Sequence, residues 1–285
     1  MEIGPIASNR EFHYIFLILR GLPKLNPSPY PSSEGHMWHR LLCLPLVILI
    51  SISVLAPVLP VRAEQQKQQD PLEKLFSMLT KYYVAVYRTG PQWTGTSEKQ
   101  IEERMAIQAN DIKKLVKSGK LVGFVQVTDS SYIKGVAFFK GGTQKEARAI
   151  VEKGKAVKDG LLKVEVYEIA GTHGLGAGAE KGPNNEKTTY YLTILSKGEI
   201  WTDQPGKDDG LMIDTHAANV IKLQESGTLR FYGAVIGTSL VRNISLVSGS
   251  SVEEVKTKLG AGPLIQKGWF TAEVYSCTIA EGTLP

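Results

Sequence analysis

YYVAVYR at residues 82–88 and YYLTILS at residues 190–196 are two versions of one segment, 108 residues apart. The same offset relates the two halves of the chain without a gap, and about 21 of roughly 88 aligned positions are identical. Trp93 and Trp201 are one such pair. A repeat of this length in a single register predicts one architecture, used twice.

The repeat sets the predicted domain organisation of the second part of the chain. The first repeat spans residues 81–169 and the second spans residues 188–278. Between them, residues 170–187 contain five glycines, a composition typical of a flexible linker.

Each repeat has the pattern strand, helix, strand, strand, helix, strand. In the first repeat, β-branched and aromatic residues at 82–88 predict a strand, and the apolar residues Met105, Ile112 and Leu115 follow helical spacing. Gly119 then supplies a helix stop. One such unit has a four-stranded sheet with helices on one face only. Since the bare face must be covered, we expect the two sheets to pack face to face within one chain.

The start of the chain is predicted to be a leader rather than part of the fold. Residues 37–63 combine a basic start, an apolar run and a small-residue end, which is typical of a signal peptide cleaved after Ala63. A retained membrane anchor is the alternative, because the run approaches spanning length. Residues 1–36 are interpreted as an extended leader or as sequence ahead of the true start, and residues 64–80 as a polar leader with a short helix.

Composition excludes several classes of function. The formal net charge is +5, from 33 basic and 28 acidic residues, and no basic stripe interleaved with aromatics is present, which argues against nucleic-acid binding. The two cysteines, Cys43 and Cys277, cannot form a Cys/His zinc cluster or an internal disulfide in the mature chain. The sequence predicts no metal and no cofactor.

Five short motifs recur in order in both repeats. They are Tyr-Tyr, then Gly-x-x-Trp, a helix ending in Ser-Gly, a turn, and a Gly before the last strand. In this order they resemble the YCII-related domain. The resemblance implies ferredoxin-like βαββαβ units that assemble as dimeric α/β barrels. We therefore expect an α+β fold of two such units in tandem, packed sheet to sheet as an intrachain pseudo-dimer.

The resemblance also implies a His–Asp pair for acid–base chemistry. The second repeat has His216 at the histidine position but Gly237 at the aspartate position. The first repeat has Asp129 at the aspartate position but Gln108 at the histidine position. Each repeat thus keeps a different half of the pair. For His216 the alternative is a histidine packed on an apolar helix face, and for Asp129 it is ordinary turn chemistry.

Two further residue pairs are candidate ligand contacts. Trp93 and Trp201 occupy equivalent loops after the first strand, where they could form a pocket wall or cap the end of the fold. Lys134 and Arg242 begin the third strand of each repeat, where they could bind an anion or lie in solvent.

Two functions are compatible with this sequence. The first is an exported module that binds a small organic molecule and has lost catalytic competence, because neither repeat holds both partners of the pair. The second is a small-molecule lyase or hydrolase that uses His216 with a carboxylate supplied from elsewhere, for which Glu165 and Glu273 are candidates.

Overall fold

The computed structural model describes residues 70–176, 187–203, 209–280 and 284. The predicted signal peptide and the segment before it lie outside the described residues, as does most of the predicted linker.

The described chain alternates strands and helices in the same order in its two halves. The first half contains α1 (Pro71–Ser77), β1 (Leu79–Thr89), α2 (Glu98–Lys117), β2 (Gly123–Val127), β3 (Ile133–Lys140), α3 (Gln144–Val151), α4 (Lys155–Lys158) and β4 (Leu162–Thr172). The second half contains β5 (Lys187–Lys197), α5 (Asp209–Glu225), β6 (Leu229–Phe231), β7 (Gly233–Val235), β8 (Val241–Val247), α6 (Val252–Gly260), α7 (Pro263–Gln266) and β9 (Phe270–Ala280).

Local sequence signals set the ends of these helices. Gly119 and Gly227 follow α2 and α5 at φ values of 69° and 71°, the left-handed conformation that glycine adopts at least cost. Thr143 begins α3 as a capping box, since its hydroxyl accepts from the Glu146 N–H and the Glu146 carboxylate accepts from the Thr143 N–H. The helix stops therefore follow from residues that recur at the repeat offset.

All nine described strands belong to one sheet. Its order is β5-β9-β2-β3-β1-β4-β7-β8-β6, and a further pairing of β5 with β8 closes the ring. Strands β6 and β7 both pair with β8 and are separated only by Tyr232. They act as one interrupted strand, so the sheet is a closed antiparallel barrel of eight strands with helices outside it.

The predicted packing was therefore wrong. The fold is α+β, but it is not two ferredoxin-like units with sheets stacked face to face. The halves join edge to edge instead: Val127 of β2 is paired with Cys277 of β9, and Ile169 of β4 with Val235 of β7. Edge pairing gives hydrogen-bond partners to the N–H and C=O groups of the edge strands, which face-to-face packing would leave unpaired. Closing the sheet into a barrel also buries, in its interior, the face that carries no helices.

One core fills the barrel interior and takes side chains from both halves. Phe231 of the second half is fully buried between two aromatic rings of the first half. Its ring centroid lies 5.9 Å from that of Tyr82 and 5.2 Å from that of Phe138, both edge-on. Cys277 is also fully buried here, and burial raises the pKa of its thiol to about 12. Neither half could complete this core alone.

Two further apolar clusters lie outside the barrel, one under the helices of each half. The second-half cluster includes α1, whose Leu72 and Leu75 pack with Ile213 and Val220 of α5. Lys74 of α1 also pairs with Glu225 of α5 at 2.6 Å. Helix α1 thus packs against α5. None of the helices in the described ranges has the length and apolar character needed to cross a bilayer.

Glycines bring the backbones together at the seam between β4 and β7. Gly171 and Gly233 are register partners. A Cβ on Gly171 would lie 2.7 Å from Phe231 Cζ and 3.0 Å from Tyr82 Cδ2. Because both rings are confined in the core, they have little room to yield.

We expect Gly171→Ala to lower the free energy of unfolding by about 2 kcal/mol, through overpacking against Phe231. Urea denaturation of this variant and of Gly95→Ala provides the measurement. Gly95 is the matched control, because a Cβ there meets no atom within 4 Å. Equal stability of the two variants would contradict the close approach at this seam.

Candidate functional site

His216 lies on α5, on the side of the helix that faces the sheet of the second half. Its ring centroid is 6.4 Å from that of Phe270. Within the described residues, no hydrogen bond or ion pair to its imidazole is found. Burial lowers its pKa from 6.5 to about 4, so the ring is neutral near pH 7.

Beside His216 is a cavity of about 60 Å³ between α5, α6 and α7 and the outer face of β5 and β8. Its walls are mainly apolar. They include Leu195, Val220, Leu223, Val247, Leu259 and Leu264. Lys258, an exposed residue of α6 that pairs with Glu254, also borders it.

The floor of the cavity is polar and deeply buried. Thr193 of β5 and Asn243 and Ser245 of β8 are 1%, 5% and 3% exposed. The Ser245 hydroxyl donates to Asn243 Oδ1 at 2.6 Å, and the Thr193 hydroxyl donates to the Ser245 carbonyl at 3.4 Å. The Asn243 amide is thus bonded to the neighbouring Ser245 side chain on the same strand.

The Asn243 Nδ2 group is inaccessible to solvent and makes no hydrogen bond of standard geometry. Tyr232 also lines the cavity, and burial raises its pKa to about 12, a shift that Asn243 and Arg242 partly offset. The Asn243 amide thus acts on the Tyr232 phenol as a hydrogen-bond partner, which lowers the pKa of the phenol against the effect of burial.

The corresponding strands of the first half carry a different set of residues. Opposite each other across β1 and β3 are Tyr87 and Gly135, whereas β5 and β8 have Leu195 opposite Asn243. The second half thus has a leucine paired with an asparagine where the first half has a tyrosine paired with a glycine.

At two other positions the second half also has a smaller or more polar side chain than the first half. Phe139 of the first half corresponds to Val247, and Ala137 to Ser245. Side-chain volume is lost from the cavity walls of the second half while polar groups are added to the floor. Together these changes create a polar-floored cavity where the first half has an aromatic cluster.

Gln108, the counterpart of His216, is buried on α2 and its Oε1 has no hydrogen-bond partner. It lies against Gly154, where a Cβ would come within 2.6 Å of that oxygen. Gly262, the counterpart of Gly154, lines the second-half cavity. Both halves therefore place a polar side chain of the long helix at the same point beneath the short helices.

Asp129 lies at the seam between the halves and not in the cavity. Its Oδ2 accepts the Ser276 N–H at 2.8 Å, next to the Thr128 N–H that donates to the Ser276 carbonyl at 2.9 Å. The carboxylate thus extends the pairing of β2 with β9. No bond joins Asp129 to His216 in the described part of the chain.

The predicted tryptophan and cation sites contact each other. Lys134 Nζ lies 4.5 Å from the ring centroid of Trp93, and the Arg242 guanidinium lies 5.0 Å from that of Trp201. Burial lowers the pKa of Lys134. Trp201 also stacks on Phe270 at 5.4 Å. Each half therefore uses this pair as a cation–π contact that holds the loop after its first strand.

The two glutamates considered as partners for His216 are on the opposite side of the sheet. Val274 belongs to the helix-side cluster, so its neighbour Glu273 faces the other way. Glu273 accepts from the Tyr275 hydroxyl at 2.9 Å. Glu165 binds Arg88 Nε at 3.1 Å and the Tyr167 hydroxyl at 2.6 Å. Neither carboxylate reaches His216.

The structure thus brings His216 together with Thr193, Asn243 and Ser245, three residues that the sequence analysis did not single out. A direct comparison of the halves would have found them, because small apolar residues of the first half become polar at these positions. Across the described ranges, no group of three or more His, Cys, Asp or Glu side chains is arranged to hold a metal ion.

No family model and no curated protein matches the chain. Similar solved structures include a mutant chlorite dismutase from Candidatus Nitrospira defluvii, 11% identical, which covers 73% of this chain and 94% of its own, with a TM-score of 0.46. The same organism's enzyme in complex with imidazole is 11% identical, covers 74% and 95%, and has a TM-score of 0.44. At these values the likeness supports no functional conclusion, and the resemblance to YCII-related domains stays a prediction.

The neutral state of His216 predicts a pH dependence of stability. The unfolded chain binds a proton at this residue near pH 6.5, whereas the folded chain does so only near pH 4. Stability should therefore fall as the pH drops from about 6.5 to about 4. His216→Gln, which introduces the first-half residue, should remove about 1–3 kcal/mol of that fall. Urea denaturation at pH 7.5, 5.5 and 4.5 measures it, and identical pH profiles for wild type and variant would refute the assignment.

Proposed function

We propose that this protein is an exported binding module for a small organic molecule, and that the cavity of its second half is the binding site. The observation that carries the proposal is a cavity with mainly apolar walls over a buried polar floor, where Asn243 bonded to Ser245 lies beside Thr193 and His216. An apolar pocket with a few convergent polar groups is typical of small-molecule binding sites.

The geometry favours binding over acid–base catalysis. An efficient general base has a pKa near the working pH and a partner that orients it. His216 has a pKa of about 4, and within the described residues no carboxylate contacts it. The lyase or hydrolase alternative therefore lacks its second group.

The cavity volume limits the size of the ligand. An apolar cavity of about 150 Å³ holds one benzene molecule. The cavity beside His216 measures about 60 Å³. It suits roughly two to four non-hydrogen atoms, either as a whole ligand or as one end of a larger one.

The order and spacing of the repeated motifs support descent from YCII-related domains in which each half has lost one member of the His–Asp pair. Export depends on residues 37–63, and the proposed mature chain begins near Glu64. N-terminal sequencing of the native protein tests this, and a native N-terminus upstream of Leu41 would contradict it.

Filling the cavity should abolish binding. We expect a thermal-shift screen of small fragments at millimolar concentration to give ligands that raise the Tm of the full chain by about 3–6 °C at tenfold excess over Kd. Val247→Phe, which introduces the first-half residue, should eliminate the shift. Leu195→Phe serves the same purpose if the first variant does not fold.

Phe139→Val is the matched control for this experiment. It removes volume from the helix layer of the first half and lowers stability, but it leaves the second-half cavity intact. Its ligand-induced shift should equal that of the wild type. Fragments that stabilise Val247→Phe as strongly as the wild type would place binding elsewhere and overturn the proposal.

A further inference from the structure

We infer that the first half carries a separate ligand site, a basic groove that binds the phosphate group of a small organic phosphate monoester. The basic groove lies between the turn after α2, the end of β3 and helix α3, and its volume is about 440 Å³. Three lysines line it: Lys120, Lys140 and Lys153. The groove shares no residue with the second-half cavity, so the inference does not rest on the proposed function.

The positive charge of the basic groove is not neutralised by the protein. Its three lysines are exposed, and no hydrogen bond or ion pair joins their ammonium groups to another described residue. Glu146 also lines the groove, but its carboxylate already accepts the N–H and the hydroxyl of Thr143, at 2.8 Å and 3.0 Å. Three positive charges and one negative charge leave an excess of two. A phosphate monoester, with a charge of about −1.5 to −2 at pH 7, matches this excess.

Part of the groove lining is apolar, which favours an organic ester over a bare ion. Phe139 and Ala147 are buried in the apolar cluster under the first-half helices, and Ile150 packs against it. A Cβ placed on Gly119 or Gly141 would meet no atom within 4 Å, so the space at both turns is open. A concave site of about 300–1,000 Å³ with apolar surface and a few charged groups is typical of small-molecule binding.

The second half shows that the fold does not require these lysines. Neutral residues occupy the three corresponding positions there: Thr228, Ser248 and Ala261. The Ser248 hydroxyl is 3.0 Å from the Gly227 carbonyl oxygen and 3.1 Å from that of Thr228, and these bonds tie the end of β8 to the turn after α5. The first half has a lysine at both of these positions, so the equivalent gap is lined with charge instead of being closed by a hydroxyl.

Four probes separate the charge, the apolar contact and the source of the phosphate. Phenyl phosphate carries the dianion and a ring, phenyl sulfate has nearly the same shape with a single negative charge, and inorganic phosphate lacks the ring. Vesicles of four parts phosphatidylcholine and one part phosphatidic acid present the same monoester on a membrane surface. The soluble probes are titrated into the ¹⁵N-labelled full chain and followed by NMR, and vesicle binding is measured by cosedimentation.

We expect phenyl phosphate to bind with a Kd in the millimolar range and to shift the backbone amide signals of Gly141 and Gly142. Phenyl sulfate should bind about fivefold more weakly, because it has one charge fewer in a solvent-exposed site. Inorganic phosphate should also bind more weakly, since it buries no apolar surface. Raising the salt concentration from about 50 mM to about 500 mM should weaken the binding of phenyl phosphate, because salt screens exposed charges.

A triple variant introduces the second-half residues: Lys120→Thr, Lys140→Ser and Lys153→Ala. It should bind phenyl phosphate about tenfold more weakly than the wild type, and it should fold, because the replaced side chains are exposed. The control triple variant removes the same charge from exposed helical positions outside the groove: Lys99→Ala, Lys113→Ala and Lys256→Ala. Its affinity should stay within about twofold of the wild-type value.

Several results would overturn the inference. They are the absence of phenyl phosphate binding, equal affinity for phenyl phosphate and phenyl sulfate, equal weakening in the two triple variants, and binding that leaves the Gly141 and Gly142 signals unmoved. Vesicle binding without binding of phenyl phosphate would also overturn it, since the groove would then be a membrane contact. None of these results concerns the second-half cavity, and a negative fragment screen there leaves the basic groove untouched, so the two proposals fail independently.

Discussion

The packing of Phe231 between Tyr82 and Phe138 is the interaction on which the rest of the architecture depends. It places a ring of the second half in the middle of a core that the first half only partly fills. This ring is buried because the strands of the two halves enclose one interior. The seams at β2–β9 and β4–β7 are then the backbone counterpart of that shared core, since they seal it along both sides.

A shared interior leaves the helix layers independent of each other. The apolar cluster under each set of helices is separated from the core by the sheet itself. Residues such as Tyr87 and Leu195 could therefore diverge without disturbing the barrel. This separation explains how one layer keeps an aromatic cluster while the other holds a polar-floored cavity at the same place in the fold.

The sequence was sufficient for the elements but not for their assembly. Periodicity and the glycine stops at Gly119 and Gly227 predict the strands and helices of each half, because these signals are local. The strand that pairs with an edge strand is distant in the sequence. The alternation of apolar and polar residues in β2 or β4 is the same whether the strand pairs with another strand or remains an exposed edge. The two glycines at the β4–β7 seam were the available hint, since Gly171 and Gly233 permit close approach there.

The candidate site shows the same limit. His216 was identified through the resemblance, but Asn243 reads as an ordinary strand residue until its opposite neighbour is known to be a leucine where the first half has a tyrosine. Trp93 and Lys134 were treated as separate ligand contacts, because they are about 40 residues apart in the sequence and their cation–π contact forms only in the folded chain.

Closure by edge pairing has a consequence for how the chain reaches its final form. The first half is synthesised before the second. Until β9 and β7 are available, its β2 and β4 are unpaired edge strands. Such edges recruit any available strand, including those of another nascent chain. Covalent linkage of the halves raises the local concentration of the correct partner strands, so it opposes self-association of the first half during synthesis.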